Sequence, residues 1–582
     1  MANRYLARAS HVARRSRCPK SLKFCALAVL ALTLHPAAGH AAPGSETAAV
    51  CSEGYVPTPL GYDFTVGLNR WGQSVVDYGL SQPARVGHVS INAQPIFNTT
   101  IPEENKALYR LANRLHTNTK LDVLQRIVLF KPGTLVDDDV LAESERLLRG
   151  QRFIADAVIR VVGRCQGVVD LEIITREVWT LVPEFKLGTS GGESTQGIGF
   201  QDSNFLGGGN RASVSYASEP DRNQFKVRYL ANNLGDSRLS LAINFEQNSD
   251  GYLNEMVVEK PFYSLKTPTA WGATISRAKR AELLYAGAES EGKIDIQRRD
   301  LDFWIGRAHS QREKTLQTRY GLGYEEVNYA SEDYSLALTI PESRHLVYPY
   351  IELSQIENDW GIAYNINQIG RKEDLHFGRS LRSRVGYAPA GESRLIIDGS
   401  ASDTWQSRNK QLLQAALAWH GRWNSGANVA EDVGASFVLD YHRGQTDKRS
   451  LYMGLKVAHT INRSIENQLF LGGSTGLRGY PAKYLSGDTR YLFTAEERLF
   501  TDYNPFRLFH VGLVAFFDAG KVSSHDNTAP GDGWRTNIGL GLRLAPDKSD
   551  RGRVLHIDLG YPLQRTETVY GPQLLVEIKQ TL

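Results

Sequence analysis

From about residue 190 onward, apolar and polar side chains alternate, and a chain patterned in this way can form little other than sheet. Leu413, Ala415, Leu417, Trp419 and Trp423 are interleaved with Gln414, His420 and Arg422. Val511, Leu513, Ala515 and Phe517 alternate with Gly512, Val514, Phe516 and Asp518. The same period runs through Ile538–Leu544, Leu555–Tyr561 and Leu574–Ile578. Successive side chains of a strand point to opposite faces, so each segment has one apolar face and one mostly polar or glycine face. A soluble sandwich would bury the apolar face in a core, whereas a membrane barrel would turn it to lipid. Segment length favours the barrel, because a spanning strand takes about 9–11 residues and only a closed barrel satisfies every backbone group in lipid. No run of ~18 apolar residues follows residue 41, so no helix takes that role. Dividing ~390 residues by ~25 for each strand with its connection predicts about sixteen strands. The 26 Tyr, 21 Phe, 9 Trp and 53 Gly suit aromatic girdles and tight turns, although a soluble β-protein would share them.

Residues 1–41 hold seven Lys/Arg and no acid. Leu22–Leu34 is apolar except for Lys23 and Thr33, and Gly39-His40-Ala41-Ala42 follows. This order predicts a signal peptide cleaved after Ala41. The net charge of +4, less seven for that segment, leaves −3. The basic balance therefore gives no reason to expect nucleic acid as a partner, and no Lys/Arg run revives one. Cys51 and Cys165 remain. An even pair in an oxidising compartment predicts a disulfide, with two separate thiols as the alternative.

Residues 42–85 are rich in Gly, Pro and polar residues and read as a linker, with a short helix near Leu68–Tyr78. Residues 86–185 read as a compact α/β module. Val86–Ala93 alternates as a strand. Thr100 and Glu103 have the spacing of a capping box, and Leu108, Leu111 and Leu115 then share one helical face. Leu121, Leu124 and Val128 repeat that spacing, and Asp137–Asp139 open a third helix. Ala157–Val162 and Val168–Arg176 read as two closing strands with Cys165 between them.

The most informative stretch is Phe470–Tyr480, FLGGSTGLRGY. It places the cation Arg478 on a glycine-rich turn between strands, upstream of carboxylates on strands whose opposite faces are apolar. With Asp518 facing inward, Phe516 and Gly520 share its face and the outward set is apolar. With Glu496 inward, Thr494 and Arg498 join it, which leaves Glu497 outward, tolerable only near a membrane edge. Gly472-Gly473-Ser474-Thr475-Gly476 matches GxSxG, but that nucleophile elbow needs a strand-to-helix turn and acid and histidine partners, and both flanks here read as strands. Gly207-Gly208-Gly209 precedes no helix start, so a hairpin turn is expected there rather than a phosphate site. The fourteen histidines show no metal spacing. No catalytic residue, metal or cofactor is expected.

Several of these segments resemble the outer-membrane insertase and translocator superfamily, the group of BamA/TamA, two-partner-secretion translocators and bacterial surface antigen proteins. Leu477-Arg478-Gly479-Tyr480 resembles its (V/L)RG(F/Y) loop, and Phe516–Gly520 its FxDxG strand. Glu496-Glu497-Arg498 is similar to its ExR strand and His556–Pro562 to its penultimate strand. Asn204–Gly209 resembles the first barrel hairpin, and 86–185 resembles a POTRA domain.

The resemblance implies an outer-membrane β-barrel over 190–582, with 86–185 in the periplasm. It implies that Arg478 reaches into the lumen and pairs with Asp518, with Glu496 as secondary acid; an arginine fork suits a carboxylate. The implied partners are outer-membrane lipid, an unfolded client protein added to an exposed POTRA sheet edge, and accessory periplasmic proteins. The implied function is insertion or translocation of that client. The alternatives are a two-partner-secretion translocator and a passive channel. If Arg478 and Asp518 form a simple pair, exchanging their charges should restore part of what Arg478→Ala loses.

Overall fold

The computed structural model describes residues 51, 56–59, 61, 62 and 64, and residues 78–580 except 191–192, 236, 287–288, 312, 332–339, 392, 408–409, 447, 466, 525–532, 550–551 and 567–568. The signal peptide, most of the expected linker with its helix over 68–77, and the last two residues lie outside the described residues.

The N-terminal module holds β1 (Ala84–Gln94), α1 (Ala107–Leu115), α2 (Leu121–Ile127), β2 (Leu135–Val136), α3 (Asp138–Arg149), β3 (Ile154–Cys165) and β4 (Val168–Glu177). Its sheet runs β2-β1-β4-β3, with β1 and β4 parallel. Leu124, Ile127, Leu141 and Leu148 pack on Ile154, Ile159, Leu171 and Ile173 to form its core. The Asp137 side chain accepts from Val140 N at 2.9 Å and caps α3. The capping box expected at Thr100 does not form. Thr100 Oγ1 donates to Asn98 instead, and Pro102–Glu104 is a separate 3-10 turn that starts from Ile101. Part of the expected linker lies on the sheet. Cys51 N donates to Asp170 at 2.6 Å, and Thr58 N and Oγ1 donate to the buried Glu172 at 3.0 and 2.6 Å.

A disulfide joins Cys51 to Cys165 across 114 residues. A cross-link of that span restricts the unfolded chain strongly, and its removal is expected to cost the module about 2–5 kcal/mol. Urea unfolding of the module followed with and without reductant checks this; coincident midpoints would contradict it.

The barrel contains twenty strands among the described residues. They are β5 (Leu181–Ser190), β6 (Glu193–Phe205), β7 (Asn210–Ser218), β8 (Asn223–Leu234), β9 (Leu239–Asn248), β10 (Gly251–Lys260), β11 (Thr269–Ala286), β12 (Glu289–Ser310), β13 (Lys314–Ala330) and β14 (Arg344–Glu357), then β17 (Ser380–Ala388), β18 (Arg394–Ser407), β19 (Gln411–Asn424), β20 (Val429–Gly444), β21 (Arg449–Ile461), β24 (Thr489–Phe500), β25 (Phe509–Ser523), β26 (Arg535–Pro546), β27 (Arg553–Pro562) and β28 (Gln573–Gln580). Two short hairpins, β15 (Trp360–Tyr364) with β16 (Lys372–His376) and β22 (Leu469–Leu471) with β23 (Leu485–Gly487), stand apart from it. Twenty replaces the expected sixteen because most connections are tight turns, which shortens the repeat. The first strand starts at Leu181, not near 190, so the module ends at Glu177. Asn204–Gly209 is accordingly the second turn, not the first hairpin.

Outward residues are apolar and exposed at every second position, as with Leu301, Phe303 and Ile305, or Ile351 and Leu353. A sandwich core would cover them. The lumen is ionic instead: Glu352 takes Arg382 at 2.7 Å, Arg384 at 3.0 Å and Arg319 at 3.4 Å. Glu497 points outward near the lower end of β24 and pairs with Arg449 at 2.8 Å.

Strand directions place the module and the β15–β16 hairpin at one end of the barrel, and the loop carrying Arg478 at the other. The module is held to its end by many polar contacts. Tyr109 Oη donates to Phe506 O at 2.6 Å and Tyr263 Oη to Ile127 O at 2.8 Å. Asn204 Nδ2 donates to Thr119 at 2.9 Å. The glycines of that turn serve this docking: a Cβ on Gly207 would lie 2.5 Å from Asn118 O.

Candidate functional site

The loop between β21 and β24 folds into the lumen as the β22–β23 hairpin, and its side chains divide by chemistry. Leu477 and Tyr480 are fully buried with Leu471, Leu485, Leu492, Val522 and Val569, an apolar nest built by the loop and the wall. Each such side chain contributes roughly 1.5–3 kcal/mol by leaving water. Tyr480 Oη lies 3.0 Å from Gln564 Oε1 and donates to Thr536 O at 3.2 Å, so its polar end is satisfied. Arg478 takes the opposite direction, into acid.

Its guanidinium meets three carboxylates from three strands. Nε and Nη2 form a fork on Asp518 at 2.9 and 2.8 Å, and Nη1 donates to Glu496 at 2.8 Å and to Asp558 at 3.3 Å. The guanidinium also lies 3.5 Å from the centre of the Phe516 ring, which adds a cation–π contact. Arg478 is 5% exposed and Asp518 is 0% exposed. Asp518 is further held by Thr494 Oγ1 at 3.0 Å and Asn537 Nδ2 at 2.9 Å. Arg543 completes the balance on Asp558 at 2.5 Å and Arg498 on Glu496 at 2.9 Å. Three acids and three arginines thus cancel, which is the condition for burying charge at low cost.

The wall is shaped for this loop by glycine. A Cβ on Gly560 would lie 2.8 Å from the backbone of Arg478 and Gly479, and one on Gly479 would lie 2.7 Å from Asn537 Cβ. The two backbones touch because neither residue has a side chain. Gly520 leaves the space that Leu471 fills, since a Cβ there would lie 2.7 Å from Leu471 Cδ2.

The structure therefore brings Arg478, Asp518, Glu496, Phe516 and Gly520 together, and joins Cys51 to Cys165 elsewhere. Sequence reading missed Asp558 and Arg543, although both lie on inward faces of alternating strands. It also missed the β15–β16 hairpin.

That hairpin enters the lumen from the module's end. Its tip is held by Glu373, whose carboxylate accepts from the backbone N of Ile366, Asn367 and Gln368 at 2.9–3.2 Å. Ile366 packs with the inward Leu412 of β19, and Ile369 with the inward Ala545 and Val554 of β26 and β27. Arg498 donates to Ile366 O at 2.9 Å. A cavity of about 350 Å³ separates this tip from the Arg478 loop.

The hairpin's stem is held by the module. Arg149 of α3 donates to both carboxylate oxygens of Asp374, at 3.0 and 2.7 Å, and to Glu145 at 3.0 Å. Lys372 pairs with Asp156 at 2.9 Å, and the Arg146 guanidinium lies 4.1 Å from the Trp360 ring centre. Burial pushes the Glu145 carboxyl above its usual range, against the pull of Arg149. Glu145 also accepts from Ile159 N at 2.7 Å, and Arg149 donates to Ala157 O at 3.1 Å. The outer edge of β3 is thus occupied at Ala157 and Ile159 by Arg149 and Glu145, the first of which also holds the hairpin.

No protein-family model and no curated protein matches the chain. Among solved structures it is similar to CdiB from Escherichia coli, at 13% identity over 85% of this chain and 76% of that one, with a TM-score of 0.43. It is similar to BamA from Haemophilus ducreyi lacking POTRA domains 1–3, at 11% identity over 85% of this chain and 84% of that one, with a TM-score of 0.38. For CdiB from Acinetobacter baumannii the values are 13% identity, 88% of this chain, 77% of that one and 0.38.

Proposed function

We propose that the chain is a gated β-barrel of the bacterial outer membrane that inserts or translocates client proteins, with the N-terminal module acting as a POTRA-like periplasmic receiver. The observation that carries this reading is the Arg478 loop, seated inside the lumen on Asp518, Glu496 and Asp558. An unobstructed pore does not require a loop seated on a matched set of buried charges. A gate does, because the same set gives the loop one well-defined closed position. The β15–β16 hairpin supports the reading from the other end.

A client would reach the module as an extended segment and pair with the edge of β3 by backbone hydrogen bonds. At Ala157 and Ile159 it would compete with Arg149 and Glu145, and Arg149 also holds Asp374. Client arrival and hairpin release then share one residue. The step requires no nucleotide and no catalytic group.

Planar-bilayer recording tests the gate. The native protein is expected to be mostly closed with brief openings, and deletion of residues 360–376 to raise the time spent open. A large steady current from the native protein would favour the passive channel. Photocrosslinking from β3 in living cells tests the receiver, and should capture unfolded outer-membrane or exported protein.

A further inference from the structure

The leucines of α1 do not enter the module core. Leu108, Leu111 and Leu115 are 66%, 46% and 64% exposed, whereas Tyr109 turns inward, stacks on Phe97 at 4.4 Å and donates to Phe506 O. The helix is therefore fixed by one face while a continuous apolar stripe is left on the other. That stripe does not face open space on all sides. With Trp179, Phe509 and Pro546 it lines an apolar groove of about 380 Å³. Phe509 lies on the outward face of β25 with the exposed Leu513, and Pro546 on the outward face of β26 with the exposed Leu540. Trp179 precedes Leu181, exposed on the outside of β5. The apolar outer wall of the barrel thus continues without a break onto the helix. Arg110 and Arg114 are exposed beside the stripe, one helical turn apart. Apolar stripe and flanking cations are what an anionic headgroup layer over acyl chains accommodates.

We propose that α1 lies in the headgroup–acyl boundary of the leaflet at the module's end of the barrel, with its leucine stripe and the groove behind it filled by phospholipid acyl chains. The inference rests on the barrel spanning a bilayer. It makes the module a membrane-seated body rather than a freely suspended one, and it places lipid beside the start of β5, the start of β25 and the end of β26.

The full chain in phosphatidylethanolamine/phosphatidylglycerol vesicles, carrying an environment-sensitive fluorophore on a single introduced cysteine, tests this. Three positions are compared: Leu111→Cys on α1, Leu540→Cys on the barrel wall, and Leu135→Cys at the far end of the module sheet. Lipids spin-labelled near the headgroup are expected to quench the Leu111 label about threefold more than the Leu135 label. Quenching at Leu540 but not at Leu111 would overturn the inference and leave the membrane reading intact. No lipid quenching at Leu540 would overturn the membrane reading itself. A Leu111 label shielded from water yet untouched by labelled lipid would mean that protein covers the stripe, and would also overturn the inference.

Discussion

Replacing Arg478 with Ala is expected to release the loop while the barrel still assembles. The substitution leaves Asp518, Glu496 and Asp558 facing one another with only Arg543 and Arg498 to balance them. Breaking a buried ion pair by removing one partner costs about 3–5 kcal/mol, and about 5.5 kcal/mol suffices to invert a two-state equilibrium. The buried Leu477 and Tyr480 resist the release, so the expected result is a mixed population and not a fully open loop. Tryptic cleavage after Lys483, in proteoliposomes exposing the loop, is expected to accelerate at least about tenfold, since each 1.4 kcal/mol is a factor of ten. An unchanged rate would remove Arg478 from the gate. Exchanging the charges, Arg478→Asp with Asp518→Arg, is expected to recover nothing, contrary to what a simple pair predicts. The new aspartate would still face Glu496 and Asp558, which the original arginine also served.

Arg149→Ala is the second large change. It removes the ligand of Asp374, the partner of Glu145 and the donor to Ala157 O together. Burial already favours the neutral form of Glu145, and loss of the cation pushes its carboxyl further in that direction. Asp374 loses its bidentate donor. The expected cost is again about 3–5 kcal/mol, concentrated where the hairpin meets the module. Hydrogen exchange over residues 360–376 should speed up by about two orders of magnitude while the barrel strands stay protected. Equal protection in both proteins would mean that the module does not hold the hairpin.

The Arg478 seat was legible because its parts are short-range and chemically unusual: an arginine among glycines, and acids on strands with greasy backs. The alternation that revealed the barrel also pointed Asp518 and Glu496 inward. The third acid, Asp558, obeyed the same alternation, but nothing local says which inward acid a distant loop will reach. The β15–β16 hairpin was not legible for a related reason. Trp360–Tyr364 and Lys372–His376 are too short to read as spanning strands, and their burial comes from lumen walls more than thirty residues away in the chain. On α1 the period correctly grouped Leu108, Leu111 and Leu115, but a period cannot say which side of a helix is the inside. Tyr109 made that choice by binding Phe506 of the barrel, a partner in a remote turn.

The path from Ile366 O through Arg498 and Glu496 to Arg478 is three hydrogen bonds long. It joins two stoppers that enter the cylinder from opposite mouths. An airlock in which each door bears partly on the other's latch does not open by halves. Withdrawing either stopper strips a contact from the residue that steadies its counterpart, so under the proposed gating role the two are expected to leave the lumen together.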